Sequence, residues 1–232
     1  MTQDSGLRTQ DSGLRTQDEL CSYARDREYW NKYYSSLTNE ISHPSNFAVT
    51  ILSELESGKH ILDLGCGNGR DSIYFLQNGF QVMGIDASDT AIERLTRITA
   101  GSERAEFICG DFVNDSRIYS RKYDYVYSRF TLHAITASQQ NELLRNITGV
   151  LKSDGKIFIE ARTLRDDLYG KGENAGDNAF IYDGHYRRFI DPEELADIMK
   201  SIGYKIISMN ERNGFSKFGT SDPVLMRLTA KI

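Results

Sequence analysis

The fold is decided by the stretch His60-Ile61-Leu62-Asp63-Leu64-Gly65-Cys66-Gly67-Asn68-Gly69-Arg70-Asp71, followed by Gln81-Val82-Met83-Gly84-Ile85-Asp86. It predicts an apolar strand, a glycine-rich turn, a helix and a second strand that ends in an acid. In an open parallel sheet, ligands bind at the carboxyl ends of the strands where the winding reverses, and glycines there let the backbone approach a bulky ligand. An acid about 20 residues further on can accept hydrogen bonds from ribose hydroxyls. The pattern therefore indicates a site for a nucleoside-containing cofactor.

The glycine spacing distinguishes between cofactors. Gly65, Gly67 and Gly69 form Gly-x-Gly-x-Gly, and Arg70 stands where the dinucleotide fingerprint Gly-x-Gly-x-x-Gly requires its third glycine. A pyrophosphate binds at an unobstructed helix N-terminus, whereas S-adenosylmethionine carries no phosphate and has no such requirement. The run Leu62–Gly69 resembles motif I of the class I S-adenosylmethionine-dependent methyltransferases. The resemblance implies S-adenosylmethionine as the cofactor.

Three further segments follow in the order found in that family. The resemblance implies that Asp86 binds the ribose hydroxyls, that Gly110-Asp111-Phe112 meets the adenine, and that the tip of the strand Tyr123–Phe130 faces the transferred methyl group. The alternative for both acids is a helix cap, because Asp is a preferred N-cap residue. By resemblance, the residues expected to bind the cofactor are Asp63, Gly65, Gly67, Asn68, Asp86, Ala87, Asp111, Phe112 and Ser128.

From residue 59 the chain alternates predicted strands and helices, as a doubly wound α/β sheet requires. One helix is predicted to begin at Asp191-Pro192, where an N-cap precedes a proline at the first helical position. The last two strands, Lys205–Met209 and Val224–Ala230, have no helix between them and therefore form a hairpin. An antiparallel last strand is typical of the resembled methyltransferases. We expect an α/β, Rossmann-like, seven-stranded and mostly parallel sheet with an antiparallel last strand and helices on both faces.

Composition limits the classes of partner. The chain has 232 residues, with 28 Lys and Arg against 33 Asp and Glu and a net charge of −5, so a concentrated basic face for nucleic acid is not expected. Cys21, Cys66 and Cys109 lack the spacing of a disulfide pair or a metal site, which favours a reducing compartment and no bound metal. No apolar run reaches the roughly 18 residues of a transmembrane span, and there is no signal-peptide core. We expect a cytoplasmic protein.

The N-terminal region divides into an arm and a cap. Residues 1–18 contain the heptapeptide Thr-Gln-Asp-Ser-Gly-Leu-Arg twice, with one apolar position per heptad where a coiled coil needs two. We interpret this segment as a disordered or frayed arm, and the alternative is an assembly helix or tether that docks a second copy or a partner. Residues 19–58 are predicted to form a helical cap on the domain 59–232. By resemblance Tyr33 and Tyr34 lie near the sulfonium or the acceptor, and they would otherwise pack against the sheet.

Two segments after the fourth and fifth strands carry the predicted acceptor chemistry. In Ser128–Ile135, His133 is a candidate general base, and Arg129 either contacts a substrate anion or forms an ion pair at the sheet edge. The second segment, 162–190, is a long insertion without predicted regular structure, which is typical of functional loops. Its cations and aromatics indicate an anionic acceptor, unless nearby acids neutralise a solvated loop. The candidates there are His185 as a base and, as acceptor contacts, Arg162, Lys171, Tyr186, Arg187 and Arg188.

The predicted function follows from these two segments. Together they resemble sugar-modifying and tellurite-resistance-type bacterial methyltransferases, which implies O-methylation of a carboxylate- or phosphate-bearing sugar in surface polysaccharide biosynthesis. Two alternatives stay open: N- or chalcogen-methylation of another small molecule, and a cofactor-binding partner subunit. Nucleic-acid base methylation is disfavoured, because Ser128-Arg129-Phe130 stands in place of the Asn/Asp-Pro-Pro-Tyr/Phe of base methylases.

Overall fold

The computed structural model describes residues 17–36, 43–217 and 219–232. Residues 1–16 lie outside these ranges, so the arm and docking interpretations of the repeat stay predictions. The helices are α1 (Gln17–Ser36), α2 (Asn46–Ile51), α3 (Arg70–Gln77), α4 (Asp89–Ile98), α5 (Ser116–Tyr119), α6 (Ala137–Val150) and α7 (Pro192–Ser201). Short 3₁₀ turns occupy Leu52–Glu54 and Leu132–Ala134. The strands are β1 (His60–Leu64), β2 (Gln81–Asp86), β3 (Ala105–Cys109), β4 (Tyr123–Arg129), β5 (Leu151–Arg162), β6 (Glu173–Gly176), β7 (Ala179–Tyr182), β8 (His185–Arg188), β9 (Lys205–Arg212) and β10 (Leu225–Lys231).

A seven-stranded sheet organises these elements. Its strand order is β3-β2-β1-β4-β5-β10-β9, with β1 to β5 parallel and β10 antiparallel to both of its neighbours. The prediction of a Rossmann-like, mostly parallel sheet with an antiparallel last strand is confirmed. The strand order reverses between β1 and β4, which pair through Ile61 with Tyr125 and Leu64 with Ser128. A ligand crevice is expected there, outside the carboxyl ends of these two strands.

Apolar side chains alternate along β1 and pack on both faces of the sheet. On one face, Leu62 and Leu64 belong to a buried cluster with the apolar stripe of α6, which consists of Leu143, Leu144, Ile147 and Val150. On the other face, Ile61 packs in a cluster with Phe47 of α2 and Phe75 of α3. Because successive side chains of a strand point to opposite faces, the sheet needs helices on both sides to bury them.

Helix starts follow the capping signals in the sequence. At the start of α7, Asp191 accepts hydrogen bonds from the N–H groups of Glu193 and Glu194. Ser45 caps α2 by accepting a hydrogen bond from the Ala48 N–H. These side chains satisfy N–H groups that the first turn of a helix leaves without an intrahelical partner. The cap at Asp191 lies where the sequence predicted it.

The insertion at 162–190 is more regular than predicted. Strands β6, β7 and β8 form a three-stranded antiparallel sheet in place of an irregular loop. Two tight turns join them, at Asp177-Asn178 with φ of 48° and 60° and at Asp183-Gly184 with φ of 52° and 71°. Positive φ at both central positions favours Asn, Asp and Gly, so these dipeptides were a hairpin signal in the sequence. The prediction of a long loop without regular structure was wrong.

Neither a membrane-spanning helix nor a metal-binding cluster is found among the described residues. None of the helices there has both the length and the apolar character needed to cross a bilayer. The Cys, His, Asp and Glu side chains of the same ranges do not form a group of three that could hold a metal ion. Cys66 is a buried free thiol, and Cys109 is a half-buried one.

Candidate active site

A cavity of about 500 Å³ opens at the carboxyl ends of β1, β2 and β4. Its wall includes the turn after β1, the end of β2, the segment after β3, the tip of β4 and part of α1. This is the position expected for the ligand crevice of a sheet with this strand order. Ser128 does not line the cavity, because it is buried and its hydroxyl hydrogen-bonds that of Thr131. The other residues predicted to bind the cofactor all line it: Asp63, Gly65, Gly67, Asn68, Asp86, Ala87, Asp111 and Phe112.

The glycine turn leaves the backbone bare toward the cavity. Gly67 has φ of 54°, a left-handed conformation that favours glycine. A Cβ atom there would overlap the hydroxyl of Tyr34 from α1, and one at Gly65 would overlap the methyl group of Thr131. The N–H of Gly67 donates to Oδ2 of Asp86 across 2.8 Å. The absence of a Cβ atom at Gly65 and Gly67 therefore lets Thr131 and Tyr34 pack directly against the turn, and both of these side chains line the cavity.

Backbone groups orient Asp86 at the end of β2. Its Oδ1 accepts from the Ser88 N–H across 2.9 Å, and its Oδ2 accepts from the Gly67 N–H. Burial raises the pKa of the Asp86 carboxyl, and the two N–H donors partly offset that rise. Each carboxylate oxygen keeps a further lone pair that can accept from a ribose hydroxyl. Neither Asp86 nor Asp111 caps a helix, because the N-caps are Ser88 for α4 and Asp115 for α5.

Charged side chains line the cavity beside β1 and α3. Asp63 accepts a hydrogen bond of 2.5 Å from Ser72 Oγ, and burial, with the carboxylates of Asp71 and Asp86 nearby, raises the pKa of Asp63 well above its ordinary value. The Nε atom of Arg70 is buried without a hydrogen-bond partner among the described residues, and it lies 3.7 Å from Asp71 Oδ1. Asp63 and Arg70 line the same cavity, and a buried carboxylate together with a guanidinium whose Nε–H lacks a partner among the described residues could bind the ammonium and carboxylate of an amino acid. This donor set matches the methionine part of S-adenosylmethionine.

Helix α1 contributes three aromatic side chains to the cavity wall, those of Trp30, Tyr33 and Tyr34. The ring of Tyr34 stacks on Trp30 with centroids 5.8 Å apart and an interplanar angle of 26°. Burial, followed by the charge of Asp86, raises the pKa of the Tyr34 hydroxyl well above its ordinary value. That hydroxyl is therefore a hydrogen-bond donor at neutral pH. Both predicted tyrosines line the cavity, although Tyr33 is 45% exposed.

The tip of β4 brings a fixed cation to the cavity. Arg129 donates from Nε to Glu160 Oε1 across 2.9 Å and from Nη2 to Ser216 Oγ across 3.1 Å. Its guanidinium lies 4.2 Å from the ring centroid of Phe130, a residue with φ of 59°. The carboxylate of Glu160 is buried and also accepts from Nε of Arg227 across 2.7 Å. Arg129 is therefore both a cavity residue and an ion-pair partner, and its position allows either of the two roles considered from the sequence.

The two candidate bases, His133 and His185, are buried and do not line the cavity. Burial, followed by the charge of Arg162, lowers the pKa of His133 well below its ordinary value. Burial, followed by the charge of Arg187, lowers the pKa of His185 to about 4. Nδ1 of each ring has no hydrogen-bond partner among the described residues. Both rings are therefore neutral at pH 7, and their role as bases stays a prediction.

Two arginines of the insertion have partners within the protein and lie outside the cavity wall. Nη1 of Arg162 pairs with Asp166 Oδ2 across 2.6 Å. Arg188 is buried and donates from Nη2 to Gln140 Oε1 (2.5 Å) and from Nε to the carbonyl of Ile135 (3.0 Å). These bonds tie β8 to the segment that follows β4. Arg188 thus has a clear structural role where the sequence predicted an acceptor contact.

The other predicted acceptor contacts are Lys171, Tyr186 and Arg187, and they also lie outside the cavity wall. Lys171 is exposed, whereas Tyr186 and Arg187 are half-buried. Burial, followed by the charge of Arg162, lowers the pKa of Arg187 from its ordinary value. An acceptor role for these residues stays a prediction, because it requires the acceptor to extend beyond the cavity.

The strand order and the residues around the glycine turn are both consistent with one protein family. The methyltransferase-domain family matches residues 23–209 of this chain. The chain belongs to the class I S-adenosylmethionine-dependent methyltransferases. Its cofactor is S-adenosylmethionine, which supplies an electrophilic methyl group on a sulfonium. In this methyltransferase the glycine turn and Asp86 would hold the adenosine part, and Asp63 and Arg70 would hold the methionine part.

Individual relatives differ in what they methylate. The histidine protein methyltransferase 1 homolog of Dictyostelium discoideum is 31% identical over 158 residues, which are 65% of this chain and 45% of that protein. The ubiquinone biosynthesis O-methyltransferase of Coxiella burnetii is 26% identical over 190 residues, 79% of each chain. The crystal structure of the 1,6-didemethyltoxoflavin-N1-methyltransferase of Burkholderia thailandensis, with bound 1,6-didemethyltoxoflavin and S-adenosylhomocysteine, has a TM-score of 0.67 at 18% identity and covers 98% of this chain and 97% of that chain. The chain spans about half the length of the first curated relatives that it matches, 49%, 45% and 46%.

Several cavity residues of this methyltransferase were not predicted as site residues: Trp30, Arg70, Asp71, Tyr127, Phe130 and Thr131. Arg70 and Asp71 begin α3 directly after the glycine turn, so their place next to the motif was the available signal. Phe130 directly follows the tip of β4, the strand end that the resemblance directs at the methyl group. Trp30 reaches the cavity through the packing of α1, which no local pattern in the sequence specifies.

Proposed function

We propose that this methyltransferase transfers the methyl group to a small-molecule acceptor that carries an anionic group. The observation that supports this most directly is Arg129, whose side chain lines the cavity. Its guanidinium is held by Glu160, by Ser216 and by the ring of Phe130. A guanidinium that is already oriented can bind a carboxylate or phosphate with little further loss of side-chain entropy.

Charge balance also favours an anion at this end of the cavity. Glu160 is a single carboxylate that two guanidiniums share, those of Arg129 and Arg227. The half-buried Arg187 lies outside the cavity wall on β8, where Asp166 and Asp183 partly offset its charge. Excess positive charge in a partly buried place is costly, because the protein replaces the water that would otherwise solvate it. Binding an anionic acceptor would reduce this excess.

The shape and polarity of the wall suggest what else the acceptor contains. Part of the cavity wall is apolar or aromatic: Trp30, Tyr33, Phe130, Ala134 and Ile135. Two polar groups on it already have partners, the Thr131 hydroxyl with Ser128 and Gln139 Oε1 with the Thr136 N–H. The described polar groups of this part of the wall that are left for sugar hydroxyls are the Tyr33 hydroxyl, the Trp30 indole N–H and the Gln139 amide N–H groups, and each buried sugar hydroxyl needs a hydrogen-bond partner. We therefore favour an aromatic or alicyclic acid and keep the predicted anionic sugar as the comparison compound.

The wall also bears on how the acceptor atom is activated. Methyl transfer from a sulfonium is an in-line displacement with a neutral leaving group, so the protein mainly holds donor and acceptor in near-attack geometry. Among the described residues, no histidine lines the cavity. A carboxylate oxygen, an amine nitrogen or a thiolate sulfur has a free lone pair and needs no base. The alternative is O-methylation of a hydroxyl, with His133 or His185 as the base.

The experiment compares acids with matched neutral compounds, using the full chain and labelled S-adenosylmethionine. The acceptors are benzoic acids with hydroxyl, amino or thiol substituents, the corresponding benzamides, and glucuronic acid. We expect methylation of acids but not of amides. Arg129→Gln should lower kcat/KM for an acid about 10- to 100-fold, because it removes a charge-assisted hydrogen bond. Affinity for S-adenosylhomocysteine, measured by calorimetry, should change less than about threefold.

Arg121→Gln is the matched control for this experiment, because Arg121 is an exposed arginine paired with Glu106 away from the cavity. Equal turnover of acids and amides, or an unchanged kcat/KM in Arg129→Gln, would contradict an anionic acceptor. Turnover of glucuronic acid alone would favour the sugar. His133→Gln tests whether His133 acts as a base. If the protein only positions the acceptor, the substitution should change kcat/KM less than about threefold, whereas loss of a general base should lower it by about 10²–10⁴.

A further inference from the structure

Helix α1 covers the cavity and is attached to the cofactor-binding side of the sheet. Ser88, which follows β2, donates from Oγ to Asn31 Oδ1 across 2.6 Å. Arg27 pairs with Asp89 across 2.6 Å at the start of α4. The same β2–α4 segment orients Asp86 in the cavity wall. The position of α1 is therefore linked to that of the residues predicted to hold the ribose.

A second attachment of α1 is aromatic and centres on His185 of β8. The ring of Tyr29 stacks on the imidazole with centroids 4.3 Å apart and an interplanar angle of 13°. The ring of Trp30 meets the same imidazole edge-on, at 5.3 Å and 84°. His185 is 4% exposed, and its Nδ1 has no hydrogen-bond partner in the part of the chain that is described. Ring packing is therefore the contact that His185 provides to α1.

A chain of packed rings connects His185 to the glycine turn. Trp30 contacts His185 on one side and stacks on Tyr34 on the other. The hydroxyl of Tyr34 lies against Gly67, in the place that a Cβ atom would occupy. Because protein interiors are close-packed, removing one ring from such a chain leaves its neighbours without support. Removing the imidazole would therefore leave Trp30 without its edge contact, on the side opposite its stack with Tyr34.

We propose that His185 is a positioning residue that clasps α1 by ring stacking and so holds Trp30 and Tyr34 over the cofactor. The sheet formed by β6, β7 and β8 is then coupled to cofactor retention, although none of its residues lines the cavity. The proposal rests on the proposed function in one respect, because it takes the cavity to hold the cofactor during turnover. The rings in contact with the imidazole are those of Tyr29 and Trp30 from α1, and the charge of Arg187 from β8 acts on it as well.

The test uses the full chain with His185→Ala and His185→Phe. Alanine removes the ring, whereas phenylalanine keeps a ring that can stack but has no nitrogen to exchange a proton. We expect His185→Ala to weaken the calorimetric Kd of S-adenosylhomocysteine about tenfold and to raise the cofactor KM more than it lowers kcat. His185→Phe should restore both to within about threefold of wild type. The fluorescence of Trp30, the only tryptophan of the chain, should shift to the red in His185→Ala.

Tyr182→Ala is the matched control, because Tyr182 pairs with His185 across the hairpin but is 39% exposed. Melting temperatures show whether each variant folds, and if His185→Ala does not fold, Tyr29→Leu removes the stacked partner and should weaken the same Kd. Wild-type affinity in the folded variant that lacks the stack would overturn the proposal. The proposal would also be overturned if His185→Phe lost turnover as completely as His185→Ala, because that result is expected if His185 acts as a base. The anionic acceptor is tested separately, by the comparison of acids with amides.

Discussion

The folded protein shifts the pKa values of two carboxyl groups, Asp63 and Asp124, in opposite directions. Burial raises the pKa of Asp63 well above its ordinary value, and the Ser72 hydroxyl offsets only part of that rise. Burial also acts to raise the pKa of Asp124, but the His60 N–H and the Lys152 ammonium outweigh it and lower that pKa. An ionised Asp63 therefore destabilises the folded state, whereas an ionised Asp124 stabilises it.

Asp63→Asn is expected to make the cofactor-free protein more stable at pH 7. A carboxyl whose pKa is higher in the folded chain contributes fully to stability only below its unfolded pKa of about 3.9, and the contribution is lost as the pH rises through the folded pKa. The melting temperature of the variant should exceed that of wild type at pH 7, and the gap should close toward about pH 4. The variant should also bind S-adenosylhomocysteine about tenfold more weakly, because it lacks the charge for the cofactor's ammonium.

Asp124→Asn serves as the control of opposite sign. A carboxyl with a lowered folded pKa contributes stability above about pH 3.9 and loses it as the pH falls through the folded pKa. The variant should therefore melt below wild type at pH 7, with unchanged affinity for S-adenosylhomocysteine, since Asp124 does not line the cavity. A lower melting temperature for Asp63→Asn at pH 7, together with wild-type affinity, would contradict the role given to Asp63.

At the scale of elements, the hairpin turns of the insertion decide where its side chains lie. The turn at Asp183-Gly184 puts His185 at the first position of β8, opposite Tyr182 of β7. Two residues with positive φ give a turn whose twist matches that of the flanking strands. The local sequence thus specifies the hairpin, whereas the contact between His185 and α1 comes from tertiary packing.

The same glycine-to-alanine substitution, made at two positions with different backbone conformations, tests the turn. A Cβ atom added at Gly184 or at Gly149 would have no neighbouring atom within 4 Å, so neither substitution causes a clash. The backbones differ, because Gly184 has a left-handed φ of 71° whereas Gly149 lies in the helix α6. Gly184→Ala should lower the free energy of unfolding by about 1–2 kcal/mol, because alanine is strained in a left-handed conformation. Gly149→Ala should raise it by about 0.5–1 kcal/mol, because alanine is the better helix former. Urea unfolding measures both changes, and changes of the same sign would rule out a left-handed backbone at Gly184.

At the scale of the whole molecule, α1 joins two parts of the chain that are distant in sequence. It is held through Ser88 and Asp89 beside the cofactor end and through His185 in the insertion. None of its described side chains belongs to the central apolar clusters. A helix held by contacts at its sides, and not by the core, opens at a lower free energy than the central strands. We therefore expect α1 to be the element whose stability depends most on the cofactor.

S-Adenosylhomocysteine should slow amide hydrogen exchange in α1 and β8 together. At a free ligand concentration about 100 times Kd, binding to the closed form adds about 2.7 kcal/mol, which slows exchange that needs α1 to open about a hundredfold. Strand β9 at the far edge of the sheet is the internal reference, because fraying of an edge strand does not require the cavity to open. Protection confined to the turn 65–69, with α1 unchanged, would contradict a lid held over the cofactor.

Much of the fold was predictable because its signals are local. The glycine turn, the strand alternation and the cap at Asp191 each depend on neighbouring residues and on allowed backbone angles. The hairpins of the insertion were encoded just as locally, in Asp177-Asn178 and Asp183-Gly184. The length and polarity of the segment favour an irregular loop, whereas its two turn dipeptides specify hairpins, and the turn chemistry prevails in the structure.

The family and the mostly parallel sheet with its antiparallel last strand could be predicted from the amino-acid sequence, because residues close together in the chain encode them. Which of the candidate acceptor residues reach the cavity could not. Arg129 and Trp30 line it, whereas His133 and His185 are buried outside its wall. These orientations depend on how α1, the tip of β4 and the hairpins of the insertion pack against one another, and contacts between segments so far apart in sequence leave no local pattern to recognise.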